Sequence, residues 1–150
     1  MSTDKVKMKG EWFITLYGPD GEVKDTKQGF NVVTTVGKEF LASFMNSAVA
    51  AAATFTGRYI AIGTGSTAEA AADTALGTEA SRTTGTASYI SGQIFQVKGT
   101  FAAGSGTGAI TEYGLLTSSS AGTLIARDTE SVINKASGDT LTVTCQLTVS

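Results

Sequence analysis

The sequence predicts a mainly β protein, an antiparallel β-sandwich or jelly roll with one α-helix over about residues 36–48. Three observations support this prediction. Several short segments alternate apolar and polar residues, clusters rich in Gly, Ser and Asn separate them, and one stretch has apolar residues at helical spacing. Short strands at roughly even spacing are typical of sandwiches and barrels, so we expect the helix to pack at one end or edge.

The chain has the size of one domain. Its 150 residues are enough to bury a core without disulfides. We interpret residues 1–9, which are charged and lack an apolar run, as an N-terminal arm and residues 10–150 as a single sandwich domain. No apolar run approaches the roughly 20 residues that span a bilayer. The net charge is only -2 and basic residues are scattered, so we expect neither nucleic acid nor a membrane as partner.

The first predicted strands form a hairpin. Residues 11–17 alternate, and a Gly-Pro-Asp-Gly turn follows them. The return arm over 22–28 is polar, which is typical of an exposed or edge strand. After Gly29, a β-branched segment over 30–34 predicts a third strand.

The helix prediction rests on Phe40, Leu41, Phe44 and Met45, which are three and four residues apart. Thr35 is available as its N-cap. The alanine-rich run that follows either prolongs the helix or links it to the next strand.

The rest of the chain reads as strands around one long loop. Residues 58–62 predict a short buried strand, and the Ala- and Thr-rich stretch that ends at Arg82 predicts a loop. Ser66 and Glu69 have capping-box spacing, which favours a helical turn within this loop. The last strand is the clearest, because apolar residues alternate with Thr and Gln throughout it. The other predicted strands cover residues 89–90, 93–101, 110–116, 123–130 and 140–149.

The residue types needed for most catalytic sites are missing. The chain has no His and one Cys, which excludes His-centred triads, most zinc sites and an internal disulfide. Cys145 lies on the apolar face of the last strand, and we interpret it as a small core residue. We therefore expect no catalytic, cofactor-binding or metal-binding residues and no cofactor.

Residues of the long loop and two carboxylates of a later strand are candidates for partner contacts. The Gly63–Ser66 loop lacks the full pattern of either common phosphate-binding loop, which favours a glycine-permissive turn. Asp128 and Glu130 share one face of a strand, as a cation site, an interface ion pair or a charged edge strand would require. The charged edge strand is favoured. The candidate contact residues are Gly63, Thr64, Gly65, Ser66, Glu69, Asp73, Asp128 and Glu130.

Several stretches together resemble modules found in virion proteins of tailed bacteriophages, where they occur in tail-fibre, tail and head-associated proteins. The resemblance covers roughly residues 58–149. In these modules an aromatic residue is common where this chain has Glu130, and a tryptophan where it has Cys145. The stretches that carry the resemblance are 59–65 with 73–79, 110–116, and 124–127 with 138–144.

This resemblance implies a structural protein without an active site that acts by shape, symmetry and surface contact. The chain is compact and lacks a fibre shaft, so we expect a capsid decoration or cement protein that binds the major capsid protein. A tail or tail-fibre component that contacts tail proteins or a host receptor is the alternative. We expect a homo-oligomer, with a trimer favoured, assembled in the host bacterial cytoplasm and located in the virion.

Two hypotheses remain outside this class. A carbohydrate-binding module would need exposed aromatic side chains, which the four tyrosines could supply. A small hydrolase would depend on carboxylates, Ser and Lys alone, and we consider it much less favoured.

Overall fold

The computed structural model describes residues 5–44 and 58–150. No helix in these ranges is long and apolar enough to cross a membrane. The described residues form nine strands and one helix: β1 Met8–Tyr17, β2 Val23–Val33, α1 Thr35–Phe44, β3 Tyr59–Gly63, β4 Glu79–Thr84, β5 Thr86–Ser91, β6 Ile94–Phe101, β7 Gly108–Leu116, β8 Leu124–Lys135 and β9 Thr140–Val149.

The strands form one antiparallel sheet that folds over into two facing layers. The strand order is β4-β3-β7-β8-β2-β1-β9-β6-β5. β2 connects the layers, because it pairs with β1 over most of its length and with β8 through Val32 and Val33. β4 and β5 lie at opposite ends of this order, yet only Gly85 separates them in the chain. The sheet is therefore nearly closed, which confirms the mainly β, antiparallel prediction.

The core lies between the two layers. Trp12, Phe101 and Leu141 contribute from one layer, and Ile60 and Tyr113 from the other; each is at most 1% exposed. The predicted alternation of the last strand is confirmed, since every second side chain of β9 from Leu141 to Leu147 is buried. The alternating pattern places one face of each central strand in the core.

Gly29 does not separate two strands, as the sequence suggested, but lies inside β2. It pairs with Trp12 of β1. A Cβ atom at this position would lie 1.7 Å from Glu130 Oε1. The glycine thus provides space for a side chain of β8 instead of a turn.

Residues 8 and 9 of the predicted N-terminal arm belong to the first strand. β1 begins at Met8, and the Lys7 and Ser150 backbones exchange hydrogen bonds of 2.6 and 2.9 Å. The end of the predicted arm therefore pairs beside β9.

The helix forms where it was predicted, but its cap is Thr34 and not Thr35. Thr34 Oγ1 accepts a hydrogen bond of 3.0 Å from the Gly37 amide and donates to the carbonyl of Leu124. This fully buried side chain caps the helix and attaches its first turn to β8. Residues 45–48 of the predicted helix lie outside the described residues.

The loop after β3 has no helical turn. Its hydrogen-bonded turn runs from Ala70 to Asp73, with a backbone bond of 3.0 Å and a bond of 2.8 Å from the Ala70 amide to Asp73 Oδ2. Glu69 accepts a hydrogen bond from Thr129 instead of closing a capping box. The loop ends at residue 78, because β4 begins at Glu79 and not beyond Arg82.

Candidate functional site

A buried glutamate holds the long loop over residues 64–78 against the outside of the sheet. Glu112 lies in the middle of β7 and is fully buried. Its Oε1 accepts hydrogen bonds from the amides of Gly65 at 2.9 Å and Thr78 at 2.7 Å. Its Oε2 accepts one from the Gly77 amide at 2.8 Å. Both ends of the loop therefore converge on one carboxylate.

Arg127 of β8 completes this site. Its Nη2 lies 2.9 Å from Glu112 Oε2 and donates at 2.8 Å to the Thr67 carbonyl. Its Nη1 donates at 2.9 Å to Asp73 Oδ2. The guanidinium thus links the strand to the middle of the loop, as its planar set of donors allows.

The electrostatics favour the ionised forms of both residues. Burial acts to raise the pKa of Glu112, but the hydrogen bonds from Thr78, Gly77, Arg127 and Gly65 outweigh it, and the pKa is below its usual value. For Arg127, burial acts to lower the pKa, yet Glu112 and Asp73 raise it above the ordinary value. A charged pair with this many donors and acceptors satisfies the condition for burying ions.

Glycines in the loop and at its start allow the backbone to lie close to the Glu112 carboxylate. A Cβ atom at Gly63 or Gly65 would lie 2.5 Å from Glu112 Oε1. The amides of a glycine-rich turn often cradle a phosphate, but here they bind a carboxylate of the same chain. Leu76 adds an apolar anchor, because it packs on Leu116 and Leu124.

Glu112 and Arg127 are not among the contact residues predicted from the sequence, although the sequence carries a signal for them. Glu112 lies within the segment Ile110–Leu116, which is apolar apart from Glu112 and Thr111, and Arg127 directly follows the apolar segment Leu124–Ala126. Glu and Arg are almost never fully buried unless paired. Two opposite charges in two such strands therefore indicate a buried ion pair.

Apart from Glu69, which binds Thr129, the predicted contact residues of the loop divide into two groups. Gly63, Gly65 and Asp73 belong to the network around Glu112 and Arg127. Thr64 and Ser66 are exposed on the loop surface. Whether these exposed residues contact a partner stays a prediction.

Asp128 and Glu130 do not mark a charged edge strand, because β8 lies between β7 and β2. Asp128 is only 1% exposed. Burial, followed by the nearby Glu130 and Glu69, raises the pKa of Asp128 to about 8, against a smaller opposing effect of the Thr129 amide. The interior position of the carboxyl explains why its neutral form is favoured.

The structure also places the acidic side chains and the single cysteine. Within residues 5–44 and 58–150, no three acidic or Cys side chains are grouped so that they could hold a metal ion. Cys145 is buried, and burial followed by the charge of Asp128 raises the pKa of its thiol. A thiol with a raised pKa is a poor nucleophile.

The two most exposed of the described aromatic side chains lie on strands that are not neighbours. Tyr89 on β5 is 73% exposed and Phe30 on β2 is 59% exposed. β1, β9 and β6 separate these two strands in the sheet. Trp12 and Tyr113 are fully buried and belong to the core.

Comparison of the chain with protein-family models, with curated proteins and with solved structures gave no match.

Proposed function

We propose that the protein is a non-enzymatic structural protein of a bacteriophage virion that binds the capsid surface as a decoration or cement protein. One observation carries the proposal. The stretches that resemble virion modules meet in space, since Gly65, Gly77, Glu112 and Arg127 belong to three of them and bind one another. The resemblance therefore rests on residues that build one structural unit.

The surface of that unit suits contact with another protein. The loop exposes Thr67, Ala68, Ala72 and Thr74, which are small and uncharged. Because the Glu112 network fixes the loop backbone, a partner would bind an ordered surface and the entropy cost of ordering it would be low. The partner in this proposal is the major capsid protein.

Symmetric assembly would also cover the two strands at the ends of the sheet. β4 and β5 end the strand order, and on β5 Tyr89 and Ile90 are 73% and 47% exposed. Edge strands with apolar side chains favour pairing with other chains. A closed homotrimer, which suits the threefold points of an icosahedral lattice, would cover them.

A tail or tail-fibre component remains the alternative. The same exposed loop and edge strand would serve contacts to neighbouring tail proteins. Binding to isolated particles separates the two positions.

The test combines mass and binding. We expect light scattering to give the mass of a trimer, and the protein to sediment with purified capsids of its phage but not with purified tails. Ala72→Arg places a charge on the exposed loop and should abolish capsid binding. Ala103→Arg, the same change at an exposed position in the turn after β6, should leave binding intact.

If the protein sediments with tails and not with capsids, it is a tail component and not a capsid decoration protein. A monomer that binds neither particle would overturn the virion proposal. Equal binding by both Arg variants would exclude the 64–78 loop as the contact surface.

A further inference from the structure

Asp128 and Glu130 form a pair of carboxyl groups at the inner face of β8. Asp128 is 1% exposed, and its Oδ2 has no hydrogen-bond partner among the described residues. The hydroxyl of Tyr113, which pairs with Asp128 across β7 and β8, likewise has no partner in that part of the chain. An unpaired buried carboxylate is costly, so the charge state of the pair matters to the fold.

The pair lies where the two layers of the sheet join. A Cβ atom on Gly29 would lie 1.7 Å from Glu130 Oε1 and 3.1 Å from Asp128 Oδ2, so both carboxyls lie against β2. The ladder between β2 and β8 consists of Val32 with Arg127 and Val33 with Ala126. The carboxyls therefore lie just beyond the end of this short ladder.

We propose that Asp128 and Glu130 share one proton, and that the loss of this proton weakens the junction between β2 and β8. With the proton present, one carboxyl can donate a hydrogen bond to the other. Without it, two negative charges, one of them on the fully buried Asp128, lie close together and repel. β2 is joined to β8 only by a short ladder, which must resist this repulsion. Its pairing with β1, by contrast, extends along most of its length.

The side chains around the two carboxyls do little to offset this repulsion. Tyr113 of β7 and Cys145 of β9 are neutral at physiological pH, and Glu69 of the loop adds a negative charge. On the same face of β2 as Gly29, Lys27 lies 3.6 Å from Asp25 and is paired with it. The raised pKa of Asp128, about 8, agrees with this arrangement.

The sign of the pH dependence follows from linkage. The folded pKa of Asp128 is about 8 and its ordinary value is 3.8. The closed junction therefore binds the proton more tightly than the open one. Opening is favoured by roughly tenfold per pH unit as pH rises between these values and becomes constant above about 8.

Two probes in the intact protein test the proposal between pH 5.5 and 9.5. Trp12 is the only tryptophan and pairs with Gly29, so its emission should change with a midpoint near pH 8. The Thr34 amide donates to Ile125 at 3.0 Å beside the ladder, and its protection against hydrogen exchange should fall up to about pH 8. The Val143 amide, in the middle of β9, should keep its protection.

The variants identify the group. Asp128→Asn should remove both pH dependences, and Asp20→Asn, at an exposed turn position, should keep them. Glu130→Gln should lower the midpoint of the Trp12 transition, because it removes the neighbouring charge. This second variant tests the sharing of the proton even if Asp128→Asn does not fold.

Three results would overturn the proposal. The first is a Trp12 emission that is constant from pH 5.5 to 9.5, and the second is a transition that persists unchanged in either carboxyl variant. The third is an equal loss of protection at Thr34 and Val143, which would mean that the proton acts on global unfolding and not on the junction.

Discussion

At the scale of single residues, the stability of the protein depends on charges that are buried in pairs. Glu112→Gln removes one charge of the Glu112–Arg127 pair while keeping the shape of the side chain. Since Arg127 then keeps its charge at 2% exposure, with Asp73 as its one remaining acidic partner among the described residues, we expect a loss of about 3 kcal/mol in the free energy of unfolding. Urea denaturation measures this loss.

The matched control is Glu79→Gln. Glu79 binds Arg82 through a Glu–Arg pair at 2.7 Å, but its side chain is 33% exposed. A partly exposed pair contributes little, so the expected loss is about 1 kcal/mol or less. Similar losses in both variants would contradict the assignment of Glu112 as the main anchor of the loop.

The same residue predicts how stability changes in acid. Because its pKa is lowered in the folded protein from the ordinary value of 4.5, the contribution of Glu112 is present above that value and is lost as pH falls through the folded pKa. We expect the wild-type protein to lose stability below about pH 4.5 and Glu112→Gln to lose less over the same range.

Cys145 should react slowly in the native state. It is 1% exposed, and its thiol pKa is raised, so little thiolate is available and a bulky reagent has no access. Maleimide labelling should be slow in buffer and fast in denaturant. Rapid labelling without denaturant would mean that β9 does not bury its apolar face.

At the scale of elements, α1 packs so closely on β8 that replacing a glycine of this helix with alanine should lower stability instead of raising it. A Cβ atom at Gly37 would lie 2.5 Å from the carbonyl oxygen of Ile125 and 2.6 Å from its Cα. In an exposed helix, Gly→Ala adds about 1 kcal/mol of stability. Here the backbone of β8 must move, so Gly37→Ala should cost about 2 kcal/mol.

Thermal or urea denaturation gives the sign. Glu39→Ala, at an exposed position of the same helix, should change stability by no more than about 0.5 kcal/mol. An increase in the stability of Gly37→Ala would show that the helix stands away from the sheet.

The elements also show which features a sequence can predict. The alternation of β9 depends on neighbours in the chain, and the sequence predicts it correctly. The prediction that Gly29 separates two strands is wrong, because the role of this glycine depends on Glu130, which is far away in the chain. Thr34 was passed over as the helix cap for the same reason, since its hydroxyl also binds β8.

The candidate site follows this rule as well. The sequence predicts the loop glycines as contact residues but not the carboxylate that they bind. Glu112 and Arg127 lie 15 residues apart and reach the loop only through the pairing of β7 and β8. The role of a glycine can be predicted only when the group that packs against it is known. Apolar periodicity supplies the strands but not their neighbours in the sheet.

At the scale of the whole molecule, β9 connects parts that are distant in the chain. It lies between β1 and β6 and pairs with both. A chain that stops at Asp139 would lose the core side chains of β9, among them Leu141 and Val143. We expect this shortened chain to show no cooperative unfolding transition by circular dichroism.

Adding a synthetic peptide that covers residues 140–150 should restore the transition, because the peptide can enter the gap between β1 and β6 as a separate strand. A peptide of the same composition in scrambled order is the control. A cooperative transition in the shortened chain alone would mean that β1 and β6 pair directly.

The position of β9 also has a consequence for synthesis on the ribosome. β1 leaves the ribosome before the other described strands, yet one of its two partners is the last of these strands to be made. Translation proceeds at about 5 to 20 residues per second, so β1 and β6 wait for several seconds with one side uncovered. During that time the nascent chain exposes an edge that other nascent chains could occupy. Slower elongation would prolong this exposure, whereas chaperones that bind extended apolar segments would protect it.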